Sequence, residues 1–178
     1  IKSYNRKRME QAISEKELDI QIKILAKRIS DKHRGDATPI VMVCILNGGF
    51  MFFSDLVKQI TAPIEIDFIR CKSYFGRKQG DLSITKDLET KIKGKHVYLV
   101  DDIIDSGNTM IAVKSFLEVK HPKSITAVAT ILKENLDFPD ALHILKQESD
   151  SIFDPFYIGY GMDDENGYNR NLKTIYTI

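Results

Sequence analysis

Residues 97–110 read VYLVDDIIDSGNTM, and this stretch decides the fold. An apolar run of strand length leads into the adjacent acids Asp101 and Asp102, a third acid follows at Asp105, and a helical pattern then resumes. Carboxylates this close together repel one another and are costly where water is scarce, so they are not expected at a strand end that has no ligand. Because ligands of open α/β sheets bind beyond the carboxyl ends of the strands, these acids mark a candidate binding site.

The turn after the acids has the composition of an anion site. Residues 106–109 begin a helix, whose first backbone N–H groups bind anions, and Gly107 allows a ligand to approach the backbone closely. Ser106 and Thr109 add hydroxyl donors. The turn therefore predicts a phosphate site flanked by carboxylates that hold hydroxyl groups or a metal ion.

Two other interpretations of the turn exist. Asp105 or Ser106 is a routine helix N-cap, which is the better interpretation of an isolated D-x-G-x-T sequence. The second alternative, a nucleotide P-loop, is excluded because the chain contains no G-x-x-x-x-G-K-[ST] sequence.

The rest of the chain alternates between strand and helix patterns. Strands are predicted at residues 40–46, 64–69, 97–100 and 125–132, and helices at residues 15–30, 50–60 and 110–119. Ser14 and Glu17 form a capping box before the first helix. Continuous apolar strands between helices predict the α/β class, with a parallel twisted sheet that helices cover on both faces.

The length and the breaks in this pattern predict how the chain is organised. With 178 residues the chain fits a single domain, whose core sheet spans roughly residues 37–132. The ends of the chain, roughly residues 1–14 and 133–178, break the alternation and are predicted to form a small hood lobe. Residues 74–95 are polar and form a longer segment than the usual connection between two elements of a domain, so we interpret them as a flexible lid.

Composition limits the class of protein further. Lys and Arg number 26 against 25 Asp and Glu, so the net charge of +1 offers no overall field for binding nucleic acid. Cys44 and Cys71 lie in apolar segments without a C-x-x-C pair, which indicates buried, reduced thiols. The longest apolar run, residues 40–46, is too short to span a membrane, and no signal peptide is evident, so we expect a cytoplasmic location without membrane contact. No metal-ligand spacing is present among the four histidines: His33, His96, His121 and His143.

The quoted stretch resembles the phosphoribosyl-pyrophosphate signature of type I phosphoribosyltransferases. Its DIID version is similar to that of the hypoxanthine-guanine phosphoribosyltransferases within this class. Further matches are LNGG at residues 46–49, KSY at 72–74, Lys133, FYIGYGMD at 156–163 and RNL at 170–172.

The resemblance implies a type I phosphoribosyltransferase fold with a hood, and an enzyme of purine salvage. Such an enzyme transfers phosphoribosyl from phosphoribosyl pyrophosphate to N9 of a 6-oxopurine, hypoxanthine or guanine, and gives IMP or GMP and pyrophosphate. It also implies Mg²⁺ as the cofactor and a homodimer or homotetramer.

The same resemblance assigns a role to each matching residue of the sugar and phosphate sites. Asp101 and Asp102 hold the ribose hydroxyls and help to bind the metal, and Asp105 is the catalytic acid or base near N7 of the purine. The 5-phosphate loop consists of Asp105, Ser106, Gly107, Asn108 and Thr109. The pyrophosphate site consists of Leu46, Asn47, Gly48, Gly49 and Arg170, with a cis peptide between its first two residues.

The purine site and the lid are assigned in the same way. The predicted purine-binding residues are Lys133, Phe156, Tyr157 and Asp163, of which Asp163 also binds the metal through water, and Ser73 and Tyr74 begin the lid. The chain departs from the family pattern at Asn47 and Asn108, and an extra residue near 163–172 leaves open whether Asp163 or Asp164 is the functional acid.

Two alternatives to this function remain. The first is a ligand-sensing regulator that keeps the phosphoribosyl site and binds RNA or DNA, which the near-neutral charge disfavours. The second is the same reaction with xanthine as the preferred base.

Overall fold

The computed structural model describes residues 9–73, 82–133, 137–147 and 155–178. Their elements, in chain order, are β1 (Glu10–Ile13), α1 (Glu15–Lys32), β2 (Ile40–Leu46), α2 (Phe50–Gln59), β3 (Ile64–Ser73), β4 (Leu82–Lys86), β5 (His96–Ile104), α3 (Asn108–Glu118), β6 (Ser124–Lys133), β7 (Leu142–Gln147), β8 (Tyr157–Ile158) and β9 (Ile175–Thr177).

A six-stranded sheet in the order β4-β3-β2-β5-β6-β7 forms the centre of the protein. All neighbouring strands are parallel except β4, which runs antiparallel to β3 at one edge. The central strand β2 is buried over six of its seven residues, which explains its unbroken apolar sequence. The predicted α/β class is therefore confirmed, with one antiparallel edge strand in a mostly parallel sheet.

Helices cover both faces of this sheet because the side chains of its strands alternate between two apolar clusters. Met42 and Cys44 of β2 point into the cluster that contains α1 and α2. Val41 and Val43 point into the opposite cluster, which contains α3. Among the described residues, no helix has the length and apolarity needed to cross a bilayer.

The first helix begins where the sequence predicts. Ser14 Oγ accepts a hydrogen bond from the Glu17 N–H at 3.2 Å, and Glu17 Oε2 accepts one from the Ser14 N–H at 2.8 Å. This reciprocal pair is the predicted capping box, and it satisfies two N–H groups at the helix start. Strand β1 precedes it directly, at residues for which the sequence predicts no strand.

Four strands of the main sheet differ from the predicted pattern, and one of them is β3, which continues to Ser73 instead of ending at residue 69. Strand β5 continues through the acids to Ile104 instead of ending at residue 100, because Ile103 and Ile104 pair with β6 and Ile104 is buried. Strand β7 adds to the same sheet, so the sheet extends past the predicted boundary at residue 132. Strand β4 occupies part of the predicted lid, and both β4 and β7 are only partly buried edge strands with weak apolar patterns.

A second, three-stranded antiparallel sheet has the order β1-β9-β8. Its central strand β9 pairs with both neighbours, so Thr177 lies opposite Glu10 on one side and Tyr157 on the other. Ile13, Tyr157 and Ile175 are buried in the apolar cluster on the α1 side of the main sheet. The second sheet thus uses residues from both ends of the chain, and the boundaries of the hood lobe stay a prediction.

Candidate active site

The acids of the quoted stretch lie in the last half of β5. Asp101 is only 7% exposed, and its Oδ1 accepts the Asp102 N–H at 2.9 Å. Asp102 Oδ1 in turn accepts the Ile103 N–H at 2.8 Å. Burial raises the pKa of Asp101 well above its usual range, and the neighbouring Asp102 carboxylate raises it further. Because two buried carboxylates this close cannot both ionise cheaply, the pair favours a bound proton or cation.

The glycine loop after β2 lies directly against this acid pair. Strands β2 and β5 are parallel neighbours, so their carboxyl ends lie side by side. The peptide bond between Leu46 and Asn47 is cis, as the resemblance implies. A Cβ atom on Gly48 would lie 1.8 Å from Asp102 Oδ2, and one on Gly49 would lie 3.1 Å from the Asp101 Cα. Only glycine fits at residue 48 without displacing the Asp102 carboxylate.

The turn between β5 and α3 has the geometry of an anion site. Gly107 occupies the N-cap position with a left-handed φ of 77°, and no side chain caps the helix. The interpretation of Asp105 or Ser106 as the N-cap is therefore wrong, although Ser106 Oγ lies 3.4 Å from the Asn108 nitrogen. Glycine suits this position because of its φ and because an added Cβ would lie 3.0 Å from the Phe138 ring. The first N–H groups of α3 face the ligand end of the sheet.

Asp105 forms an ion pair with Lys133. The register of the parallel strands explains it, because Ile104 lies opposite Leu132, and each partner is the next residue along its chain. The Asp105 side chain is 61% exposed and the Lys133 side chain 21%. The structure thus places the predicted catalytic acid beside a predicted purine-binding residue.

A turn that follows β8 brings a third acid and an arginine to the glycine loop. Arg170 Nη1 donates to the Gly161 carbonyl at 2.6 Å, and Arg170 Nη2 lies 2.5 Å from Asp163 Oδ2. A Cβ on Gly161 would lie 2.0 Å from the Gly48 carbonyl oxygen, so the two backbones touch. Burial raises the pKa of Asp102, and the positive charge of Arg170 is one of the effects that oppose this rise.

Asp163 and Asp164 differ in what they contact. The Asp164 carboxylate accepts hydrogen bonds from the N–H groups of Asn166 and Tyr168 and from Asn169 Nδ2, at 2.8 to 3.0 Å. The bond from the Tyr168 N–H is the main reason that the pKa of Asp164 is lowered. Asp164 therefore organises its own loop, whereas Asp163 pairs with Arg170 beside the glycine loop.

A cleft of about 370 Å³ opens over the ends of β2 and β5. The predicted site residues that line it are Leu46, Asp101, Asp102, Asp105, Ser106, Gly107 and Thr109. The predicted purine-binding residues are not part of this lining. Phe156 is 47% exposed and lies just before β8, and the Tyr157 side chain, which belongs to β8, is buried. Ser73 ends β3, and Tyr74 lies outside the described residues.

Some residues of the site are missed by sequence reasoning. Cys71 and Leu82 line the cleft from β3 and β4, although no sequence signal places them there. Both cysteines are free thiols, and burial raises the pKa of Cys71. Gly161 belongs to the quoted FYIGYGMD match, but only its contact with Gly48 gives it a role.

The acids have the chemistry to hold a magnesium ion. Mg²⁺ binds one or two carboxylates, keeps several waters and takes its other ligands from substrate phosphates. Asp101 and Asp102 supply two carboxylates whose raised pKa values a cation would offset. Among the described residues, however, the three predicted metal acids do not form one compact group of ligand atoms.

The comparisons with known proteins agree on one family. The family model described as "Phosphoribosyl transferase domain" matches residues 13–165. A hypoxanthine phosphoribosyltransferase of Buchnera aphidicola is 38% identical over 167 residues, which covers 88% of each chain.

Two solved structures share the fold. A hypoxanthine-guanine phosphoribosyltransferase of Bacillus anthracis is 32% identical with a TM-score of 0.82, over 95% of this chain and 98% of that one. A Trypanosoma cruzi hypoxanthine phosphoribosyltransferase in complex with its product IMP is 26% identical with a TM-score of 0.85, over 99% of this chain and 97% of that one.

Proposed function

The chain belongs to the phosphoribosyltransferase domain family, and from this membership we propose that it is a purine salvage enzyme. It transfers the phosphoribosyl group of phosphoribosyl pyrophosphate to N9 of hypoxanthine or guanine, giving IMP or GMP and pyrophosphate. The relatives named hypoxanthine or hypoxanthine-guanine phosphoribosyltransferase, one of them bound to IMP, support this choice of base.

One observation carries the proposal: an acid pair and a phosphate-type turn line a single cleft that the glycine loop after β2 adjoins. Phosphoribosyl pyrophosphate carries a phosphate at one end, hydroxyls in the middle and pyrophosphate at the other end. The turn at residues 105–109 suits the 5-phosphate, Asp101 and Asp102 suit the ribose hydroxyls, and the loop at 46–49 suits the pyrophosphate. The order of these parts in the protein matches their order in the substrate.

Bond breaking at the anomeric carbon builds positive charge on the sugar and negative charge on the departing pyrophosphate. The carboxylates of Asp101 and Asp102 stabilise the cationic sugar. Arg170, anchored by the Gly161 carbonyl and by Asp163, supplies a fixed cation beside the glycine loop. It takes the place of the charge that Asn47 does not provide. When bound, Mg²⁺ neutralises pyrophosphate oxygens as a Lewis acid.

The base site lies at the Asp105 side of the cleft. Lys133, held there by its ion pair with Asp105, donates to O6 of the purine. Phe156 offers an exposed ring for stacking on the base. The backbone at Tyr157 reads the edge of the base. A lid that begins at Ser73 and Tyr74 stays a prediction from the resemblance, because residues 74–81 lie outside the described residues; its role would be to exclude water, which would otherwise attack the sugar.

Asp105 transfers the proton at N7 of the purine, a role typically worth about 100-fold to 10,000-fold in rate. Its side chain is 61% exposed, so it can face an incoming base while it stays beside Lys133. We propose Asp163 and not Asp164 as the functional acid of the turn that follows β8, because the Asp164 oxygens already accept hydrogen bonds from its own loop.

The test is direct assay of the purified protein. With Mg²⁺ and phosphoribosyl pyrophosphate, we expect IMP from hypoxanthine and GMP from guanine, and formation of neither would overturn the proposal. Relative turnover on hypoxanthine, guanine, xanthine and adenine then determines the preferred base. A dimer or tetramer and a cytoplasmic location stay predictions from the resemblance and the sequence.

Asp105→Asn tests the catalytic assignment. We expect turnover to fall by about 100-fold or more while phosphoribosyl pyrophosphate still binds. The matched control is Asp19→Asn, which removes an exposed helix carboxylate paired with Lys23 and leaves turnover unchanged. Full turnover in Asp105→Asn would remove Asp105 from the chemistry without affecting the assigned reaction.

A further inference from the structure

Two histidines and an aspartate meet at the end of the main sheet that is opposite the cleft. His33 is the C-cap residue of α1, Asp36 lies in the following loop, and His96 begins β5. One possible ligand atom from each lies within 4.8 Å of the other two. Because strands rise about 3.3 Å per residue, Asp101 of the cleft lies about 16 Å farther along β5. The cluster is therefore separate from the candidate active site.

Each imidazole of the cluster uses one nitrogen for a hydroxyl group. His33 Nε2 lies 2.7 Å from the Tyr98 hydroxyl, and His96 Nδ1 lies 2.6 Å from Ser124 Oγ. The second nitrogen of His33, Nδ1, is buried and has no hydrogen-bond partner among the described residues. The second nitrogen of His96, Nε2, lies 3.2 Å from Asp36 Oδ2. One nitrogen on each ring is thus oriented by a hydroxyl group, while the other nitrogen has no partner in His33 and contacts the Asp36 carboxylate in His96.

Metal-binding histidines have a similar arrangement, in which one ring nitrogen contacts an oxygen and the other faces the metal. Such a histidine nearly always donates its other ring N–H to an oxygen, which fixes the orientation of the ring. The carboxylate is oriented in the same way, because Asp36 Oδ1 accepts the Thr38 N–H at 2.8 Å. A buried polar nitrogen without a partner is also rare in folded proteins, and a bound ion removes that cost.

The backbone holds the three ligands at fixed positions. The Asp36 N–H donates to the His33 carbonyl at 3.0 Å, which sets the turn between these two residues. The His96 N–H donates to the Pro39 carbonyl at 3.0 Å, which holds the start of β5 beside the same loop. His33 is only 7% exposed, so its ring has little freedom to move away.

We propose that His33, Asp36 and His96 bind a divalent transition-metal ion, with Zn²⁺ as the ion expected. Two imidazoles and one carboxylate form a usual three-residue zinc ligand set, which a water molecule completes to a tetrahedron. Nitrogen ligands select Zn²⁺ over Mg²⁺, so this ion differs from the one assigned to the cleft. The bound ion connects α1, the loop and β5, and its role is to stabilise this end of the sheet.

Lys123 competes with the ion for Asp36. Its Nζ lies 3.4 Å from Asp36 Oδ2 and 2.8 Å from Thr38 Oγ1. The Lys123 side chain is 49% exposed, so its ammonium group can move into water when the ion binds. Removing this ammonium should therefore strengthen metal binding, which a purely structural polar network does not predict.

The test measures Zn²⁺ bound to purified, chelator-treated protein by equilibrium dialysis, with excess Mg²⁺ present to occupy the acids of the cleft. We expect one Zn²⁺ per chain and a rise in Tm of about 5 °C or more at saturation. Asp36→Asn, which keeps the shape of the side chain, should weaken binding by about 10-fold or more. Lys123→Met should tighten it.

The matched control is His121→Asn. It removes an exposed imidazole from a residue with a φ of 56°, which asparagine tolerates, and should leave Zn²⁺ binding unchanged. Failure of the wild type to bind Zn²⁺, or equal binding by the wild type and Asp36→Asn, would overturn the proposal. Asp36 is at the surface and its substitution keeps the hydrogen-bonding shape, so we expect this variant to fold.

Discussion

The contact between Gly48 and Asp102 predicts that Gly48→Ala damages catalysis far more than stability. The new Cβ would lie 1.8 Å from Asp102 Oδ2 and 2.5 Å from its Cγ. An ordinary contact needs at least 3.4 Å, so the carboxylate must move by about 1.6 Å, the difference between these distances. Gly48 has no left-handed φ, so the substitution acts through this contact alone.

The effect of Gly48→Ala on stability and on catalysis depends on how the Asp102 side chain moves. Asp102 is a short, partly buried side chain that lines the cleft, so it can rotate into the cleft at the cost of its hydrogen bond from the Ile103 N–H, worth about 1 kcal/mol. That cost lowers Tm by about 2–4 °C in a chain of this size. Displacing a catalytic group by more than 1 Å costs about 100-fold, so kcat/KM for phosphoribosyl pyrophosphate should fall by about that factor, or about 2.7 kcal/mol.

The assay is IMP formation from hypoxanthine at varied phosphoribosyl pyrophosphate, together with a thermal unfolding curve. Gly94→Ala is the control. The left-handed φ of 72° at Gly94 is strained for alanine, but the added Cβ would meet no atom within 4 Å. We expect this control to lose stability and keep kcat/KM, which is the opposite pattern. If Gly48→Ala folds and keeps kcat/KM within about twofold of the wild type, Asp102 has no role in the reaction.

Three further predictions concern the turn that follows β8 and the buried acid Asp101. Gly161→Ala places a Cβ 2.0 Å from a backbone carbonyl at a φ of 104°, so unfolding experiments should show a loss of more than about 2 kcal/mol; Gly167→Ala, at a φ of 83° with no neighbour within 4 Å, should lose less. Burial raises the pKa of Asp101, so the folded state holds its proton to higher pH than the unfolded state does, and stability falls as pH rises from the unfolded pKa through the folded one. Asp101→Asn should therefore raise Tm more at pH 8 than at pH 4, and an equal gain at both values would contradict this. Asp163→Ala should lower turnover with little change in Tm. Asp164→Ala should lower Tm, because it removes the hydrogen bonds that organise the loop. The reverse pattern would make Asp164 the functional acid and Asp163 the residue that organises the loop.

The sequence predicts the local features of the fold well. The capping box at Ser14 depends on residues three positions apart, so the pattern alone places the start of α1. The apolar run of β2 is continuous because both of its faces are buried, and that too is visible in the sequence. Strands β4 and β7 are missed because edge strands are half exposed, and their short sequences do not alternate clearly.

In the candidate site, too, the sequence predicts the local features and misses those that depend on distant contacts. The signature at residues 97–110 is contiguous, so it predicts the acids and the phosphate turn together. It does not predict that Gly107, rather than Asp105 or Ser106, caps α3, because the choice depends on the backbone path that leaves β5. The long continuation of β5 also follows from pairing with β6, which lies more than 20 residues away in the chain.

The sequence by itself determined the α/β class, the phosphoribosyltransferase signature and the residue types of the site, because each is a pattern of neighbouring residues. Only the tertiary structure joined Lys133 to Asp105, Gly161 to Gly48, and His33 to His96. These partners are between 28 and 113 residues apart in the sequence, so no local pattern connects them. Parallel pairing of β5 with β6 brings Asp105 beside Lys133. Packing of the turn after β8 brings Gly161 to Gly48, and packing of the C-terminal end of α1 brings His33 to His96, because tertiary contacts join segments that are far apart in the chain.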